Sequence, residues 1–138
     1  MILCYMHAKI RAMACPYFDP GERLPGSSGS LGDLYAGQCR AGDWRPDEQT
    51  VADRCNLGYA RGFCPRFPAN GGPDAVRFSV SKDENTLIRI LYSIERDHRP
   101  FSNGALEFST AAGGFTAAPE SIERLAGAYV RSYLRRTR

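Results

Sequence analysis

The amino-acid sequence predicts an α+β fold, in which a small antiparallel sheet of three to four strands is covered by a C-terminal amphipathic helix. Three patterns support this fold: strand-like alternation in residues 75–110, helical spacing in residues 119–138, and a Cys/Gly/Pro-rich stretch without periodicity in residues 13–74. With 43% hydrophobic and 24% charged residues, the composition is that of a globular chain. No apolar run reaches the length that a bilayer span requires.

A chain of 138 residues favours one domain. We assign residues 13–138 to a single metal-binding domain, divided into a cysteine layer (residues 13–74) and a sheet with its helix (residues 75–138). Residues 1–12 form a peripheral or mis-started segment in this prediction, because His7, Lys9 and Arg11 interrupt any signal-peptide core and Met13 offers another start. The lack of a secretory pattern predicts a cytoplasmic protein.

One short helix is predicted within the cysteine layer, from about Pro46 to Leu57. Proline is common at the first helical position, and Asp47 and Glu48 suit the positive end of the helix dipole. Gly58 is typical of a residue that stops a helix. This helix would carry a cysteine in its last turn.

Four strands are predicted after the cysteine layer. The first two, at residues 75–81 and 86–95, alternate apolar and polar side chains and are joined by a turn at residues 82–85. The third strand spans residues 105–110, and a short fourth strand lies around Phe115. Because the links between them are short and polar, we expect an antiparallel meander. Apolar residues on both faces of the second strand predict that it is central.

The C-terminal helix has the strongest pattern in the chain. Its apolar positions follow three-four spacing without interruption: Ile122, Leu125, Ala126, Tyr129, Val130, Tyr133 and Leu134. Pro119 opens the helix, acidic residues occupy its first turn, and arginines occupy its last turn. We expect this helix to cover one face of the sheet.

Four of the five cysteines, Cys15, Cys39, Cys55 and Cys64, lie in the cysteine layer. A cytoplasmic chain cannot rely on disulfide bonds, so metal binding is the favoured explanation. Four thiolates complete either a tetrahedral zinc site or a 4Fe–4S cluster. We therefore predict that these four residues bind one metal centre, which organises the loops of the layer, and that Cys4 takes no part.

Local context favours a 4Fe–4S cluster over zinc. Structural zinc sites commonly use closely paired cysteines, and this sequence has no such pair. Cys15 and Cys64 each precede a proline, as cluster ligands often do, and nothing indicates histidine ligands. Zinc is the alternative cofactor, and in a third interpretation the cysteines are small buried hydrophobic residues without a metal. A metal centre would also close long loops and add folding free energy.

Aromatic residues and glycines flank the cysteines. The aromatic residues are Tyr17, Phe18, Trp44, Tyr59, Phe63 and Phe67. An apolar collar of this kind limits solvent access and helps to set the potential of a cluster. Glycines at positions 37, 42, 58 and 62 would let backbone amides approach the sulfur atoms.

These features predict an iron–sulfur protein that serves electron transfer, redox sensing or structural support for a protein partner, either a redox partner or a host enzyme. No catalytic residue is predicted. The alternative is a zinc- or cluster-stabilised module that binds nucleic acid through arginines and aromatic residues. The arginines concerned are Arg40, Arg45, Arg54, Arg61 and Arg66 around the cysteines, and Arg124, Arg131, Arg135 and Arg138 on the last helix. Acidic residues in the same region favour a mixed, solvated surface instead.

An enzyme is the third hypothesis: its cluster would have an open iron site, which requires that one cysteine is not a ligand, and His98 or Asp97 would act as the acid or base. Both residues follow the second predicted strand, where an imidazole beside a carboxylate can act as a general base. A solvated turn is the favoured interpretation of this pair. The Gly/Ser-rich residues 24–32 lack the lysine of a phosphate-binding loop and are interpreted as a flexible connection.

Overall fold

The structure is a computed structural model, and it describes residues 11–25, 33–42, 44–55, 64–68, 72–97 and 99–138. The fold is mixed α/β, with two antiparallel sheets and a C-terminal helix. The elements are β1 (Arg11–Ala14), β2 (Phe18–Leu24), β3 (Leu34–Cys39), α1 (Glu48–Thr50), β4 (Ala75–Asp83), β5 (Leu87–Arg96), β6 (Arg99–Ser109), β7 (Gly114–Phe115) and α2 (Glu120–Thr137). The larger sheet has the order β1-β4-β5-β6-β7, and β2 pairs with β3 in a separate small sheet.

The predicted meander is confirmed for β4 to β7, and β5 is central as expected. The prediction of three to four strands is wrong by one strand, because β1 pairs with the outer edge of β4. Arg11 and Ala12, which the sequence places in the peripheral segment, lie in β1. A four-residue edge strand is too short to show an alternation of apolar and polar residues, so β1 is recognised only by its pairing with β4. Residues 1–10 lie outside the described ranges.

Two strands of the meander are longer than predicted. Lys82 and Asp83, expected in a turn, still pair with β5 beyond a register shift that follows Val80. β6 begins at Arg99 rather than at residue 105, because β5 supplies hydrogen-bond partners as far as Arg96. The first residues of β6 show no alternation of apolar and polar side chains, so the sequence does not predict this part of the strand.

The C-terminal helix is confirmed, with Pro119 at its N-cap position. Five of its predicted apolar positions are buried, and Tyr133 and Leu134 are half-buried. Tyr129 stacks on Phe78 of β4, with ring centroids 5.6 Å apart. Within the described ranges, no helix combines the length and the apolar character that crossing a membrane requires.

α2 contacts the small sheet as well as the large one. The Tyr35 hydroxyl of β3 donates a 3.1 Å hydrogen bond to the Ala128 carbonyl, and the Ser132 hydroxyl donates a 2.7 Å bond to the Asp33 carboxylate. One cluster of buried side chains joins both sheets, α2 and Val51. The small sheet is thus fixed against the same core that supports the large sheet.

The cysteine layer is more regular than the sequence predicts. β2 and β3 occupy part of the stretch expected to be irregular. The predicted helix is also shorter: Asp47 caps it by accepting a 2.8 Å hydrogen bond from the Thr50 amide, and a π-helical turn at Val51–Cys55 follows. The expected helix end at Leu57 falls in residues 56–63, which lie outside the described ranges.

Candidate metal centre

The four cysteines predicted to be ligands lie on four separate segments. Cys15 directly follows β1, Cys39 ends β3, Cys55 ends the π-helical turn, and Cys64 begins the described segment 64–68. Despite this separation, all four side chains line one small pocket. None of the four forms a disulfide bond. Cys4 lies outside the described ranges.

Backbone hydrogen bonds hold these segments together. The Cys15 amide donates to the Cys55 carbonyl over 3.1 Å, which joins the end of β1 to the π-helical turn. The Cys39 amide donates to the Trp44 carbonyl over 2.8 Å, and Phe18 lies opposite Cys39 in the register of the small sheet. Backbone hydrogen bonds therefore position the segments that carry Cys15, Cys39 and Cys55.

Two of the four thiols occupy an environment that disfavours ionisation. Burial, together with repulsion from the neighbouring thiolates, raises the pKa of both Cys15 and Cys55 to about 12. A backbone hydrogen bond from Tyr17 lowers the pKa of Cys15, and the nearby Arg54 guanidinium lowers that of Cys55. Ionising Cys15 and Cys55 therefore requires additional positive charge, which a metal centre would supply.

The predicted aromatic collar is present where the structure describes it. The pocket wall includes the aromatic residues Tyr17, Phe18, Trp44 and Phe67, whereas Tyr59 and Phe63 lie outside the described ranges. The Tyr17 and Phe67 rings meet edge to face at 5.5 Å. The Arg66 guanidinium lies 4.0 Å from the centre of the Trp44 ring. The pocket is consequently apolar, with cationic groups at its rim.

The Trp44 indole is a polar group within this apolar wall. Its Nε1 is buried and has no hydrogen-bond partner in the part of the chain that the structure describes. Gly42 leaves room for the indole, because a Cβ at this position would lie 3.1 Å from Trp44 Cδ1. An unpaired buried donor is uncommon in proteins and is consistent with an acceptor that is not part of the chain.

The predicted role of the glycines changes at Gly37. A Cβ at Gly37 would overlap the Asp19 carbonyl oxygen on the adjacent strand. Glycine is therefore needed here for pairing of β2 with β3, and not for the approach of an amide to sulfur. Positions 58 and 62 lie outside the described ranges.

The cysteines are not arranged around a single ion. Among the described residues, no three His, Cys, Asp or Glu side chains could hold one metal ion. A zinc ion binds thiolates at about 2.3 Å, which brings four sulfur atoms within about 4 Å of one another. In a 4Fe–4S cube each thiolate binds a different iron, so the sulfur atoms stand further apart. The described residues thus show neither the sulfur arrangement of a zinc site nor the metal centre that was predicted to organise the cysteine layer.

The arginines near the cysteines have different surroundings. Arg54 and Arg66 line the pocket. Arg40 donates hydrogen bonds of 2.6 and 2.9 Å to two backbone carbonyls, and Arg45 forms an exposed ion pair. Arg61 lies outside the described ranges. Of the described arginines near the cysteines, Arg40 and Arg45 are therefore already bonded to other groups of the chain.

Most arginines on α2 are paired with carboxylates. Arg124 pairs with Asp19, Arg135 with Asp33, and Arg138 with Asp83. Arg131 has no such partner in the ranges that the structure describes, and it faces a cleft that Arg23 also lines. Arg23 has no predicted role, because a single exposed arginine on a strand gives no local signal in the sequence.

The predicted acid–base pair cannot be assembled from the described residues, since His98 and His7 lie outside them. Asp97 forms the turn between β5 and β6 with a φ of 54°, and its amide donates a 3.0 Å hydrogen bond to Asp74. This geometry accounts for Asp97 as a turn residue.

No protein-family model, curated protein or solved structure matches the chain.

Proposed function

We propose that the protein binds a 4Fe–4S cluster through Cys15, Cys39, Cys55 and Cys64 and transfers electrons to or from a protein partner. One observation carries the proposal: four free cysteines from four segments of chain line a single pocket. Burying four thiols side by side stabilises a fold less than aliphatic packing would, whereas binding a shared inorganic centre gives all four a function.

The pocket lining supports the binding of a thiolate-ligated centre. The Tyr17 amide is hydrogen-bonded to the Cys15 sulfur, and hydrogen bonds to sulfur are one means by which proteins set cluster potentials. Arg54 and Arg66 would offset the negative charge of four thiolates.

Exposure of the ligands supports electron transfer over a purely structural role. Cys15 is buried, whereas the other three cysteines are half-buried. A centre held in this way lies close to the surface, where a partner protein can approach it. Solvent exposure is also one of the factors that set the potential of a cluster.

The proposal is tested by anaerobic purification followed by metal and sulfide analysis. We expect about four iron atoms and four sulfides per chain, with visible absorption that dithionite bleaches. Cys→Ser substitution at position 15, 39, 55 or 64 should remove most of the iron, and Cys4→Ser serves as the matched control that retains it. One zinc per chain, or a metal-free protein of unchanged stability, would contradict the proposal.

A further inference from the structure

A second cavity lies between α2, the small sheet and β7. Its volume is about 900 Å³, within the usual range for small-molecule sites. Its lining includes eight charged residues: the arginines are Arg23, Arg40, Arg124, Arg131 and Arg135, and the acidic residues are Asp19, Glu120 and Glu123. This cleft is distinct from the cysteine pocket in both its lining chemistry and its size.

Positive charge is concentrated at one end of the cleft. Within the described ranges, Arg23 and Arg131 form no ion pair. Arg135 is bonded to Asp33, yet its pKa is lowered by burial and by repulsion from Arg23 and Arg136. An anion at this end of the cleft would relieve the repulsion.

Gly127 provides space for one of these arginines. It is buried in the middle of α2, where glycine is less favourable than alanine. A Cβ at this position would lie 2.9 Å from Arg131 Nη1, so the guanidinium lies directly against the helix backbone. Gly127 therefore disfavours helix formation, but its lack of a side chain allows Arg131 to pack along the cleft wall.

The other end of the cleft carries carboxylates as well as arginines, and Arg40 donates a hydrogen bond to the Ser121 carbonyl there. Glu120 and Glu123 occupy the first turn of α2, and Asp19 pairs with Arg124 beside them over 3.2 Å. Carboxylates at this end would repel a polyanion that continued through the cleft, and they would accept hydrogen bonds from amino or hydroxyl groups. A small ligand with its negative charge at one end fits this polarity better than a nucleic-acid strand does.

We propose that this cleft binds a small organic phosphate, with the phosphate held by Arg23, Arg131 and Arg135. Planar guanidinium groups bind phosphate oxygens in pairs, which a lysine cannot do. Hydroxyl or amino groups of the ligand face Glu120 and Glu123. The binding requires no cluster, and so it stands or falls separately from the function proposed above.

The site is tested by calorimetric titration of the full-length protein with inorganic pyrophosphate at constant ionic strength. We expect one binding site, with affinity reduced about tenfold by Arg23→Gln or by Arg131→Gln, as loss of a charged hydrogen bond implies. Arg89→Gln is the matched control, because Arg89 is exposed on β5 and does not line the cleft. Equal weakening by Arg89→Gln would overturn the proposal by showing that the attraction is non-specific.

Gly127→Ala provides an independent test that does not remove charge. The added methyl group displaces the flexible end of Arg131 while favouring the helix, so we expect a melting temperature at or above that of the parent and weaker pyrophosphate binding. Unchanged binding in both Gly127→Ala and the Arg23→Gln/Arg131→Gln double variant would refute the site. Affinity for single-stranded DNA that exceeds pyrophosphate affinity and rises with strand length would also refute it, in favour of a nucleic-acid surface.

Discussion

Trp44 places a buried indole N–H beside the four cysteines, without an acceptor among the described residues. Leaving a buried donor of this kind unpaired costs about 1–3 kcal/mol. The sulfur atoms of a bound cluster are acceptors that would satisfy it. The sequence predicts that Trp44 belongs to the collar, but the unpaired donor depends on the bridge between Trp44 and Cys39, which no local pattern reveals.

Replacing Trp44 with phenylalanine should therefore retain the cluster and lower its reduction potential. A hydrogen bond to a cluster sulfur stabilises the more negative, reduced state, so losing the bond disfavours reduction. A spectroelectrochemical titration measures this shift, and iron content verifies that the variant is loaded. Tyr92→Phe, which removes a polar group from an aromatic residue on β5, is the control and should leave the potential unchanged. A potential that stays the same in the Trp44 variant would show that the indole does not bond the cluster.

The elements of the chain differ in how much of their structure is encoded locally. β4, β5 and α2 have patterns that repeat at strand or helix period, and each was predicted close to its observed bounds. β2 and β3 contain Pro20 and Gly37 and show no such repeat, so their structure depends on pairing with each other. The four cysteines could therefore be singled out from the sequence, whereas the strands β2 and β3 could not be predicted.

Gly37 is the position at which this pairing is most sensitive. Gly37→Ala would drive a methyl group into the backbone of β2, and overpacking of this kind costs about 1–3 kcal/mol. We expect a lower urea midpoint together with reduced iron content, because Cys39 lies two residues further along β3. Gly114→Ala is the matched control, since a Cβ there meets nothing within 4 Å. Equal stability of the two variants would show that β2 and β3 do not pair as described.

Across the whole molecule, one buried core serves two regions that depend on different interactions. The large sheet and α2 are held by apolar packing around Phe78, Ile90 and Leu125, all of which are almost fully buried. The cysteine layer contributes fewer large side chains to this core, so a metal centre would stabilise it by closing its loops. The cleft could not be predicted from the sequence, because its arginines come from β2, from α2 and from the turn after β3.

Removal of the cluster should therefore loosen one region and spare the other. After chelation of the iron, we expect faster amide exchange in β2, β3 and the π-helical turn, with protection retained in β4, β5 and β6. Hydrogen exchange read by mass spectrometry measures this at peptide resolution, and the loaded protein is the reference. Unchanged exchange throughout would mean that the cysteine layer needs no metal, and uniform loss would mean that the two regions unfold together.

Phe18 lines both the cysteine pocket and the arginine cleft, and its side chain is 1% exposed. The benzene ring of Phe18 therefore forms part of the wall of both the apolar cysteine pocket and the charged cleft. Truncating it would enlarge both chambers at once, and a change in iron content could not then be separated from a change in anion affinity. Experiments that test one of the two sites alone should therefore keep Phe18 and substitute residues that line only that site.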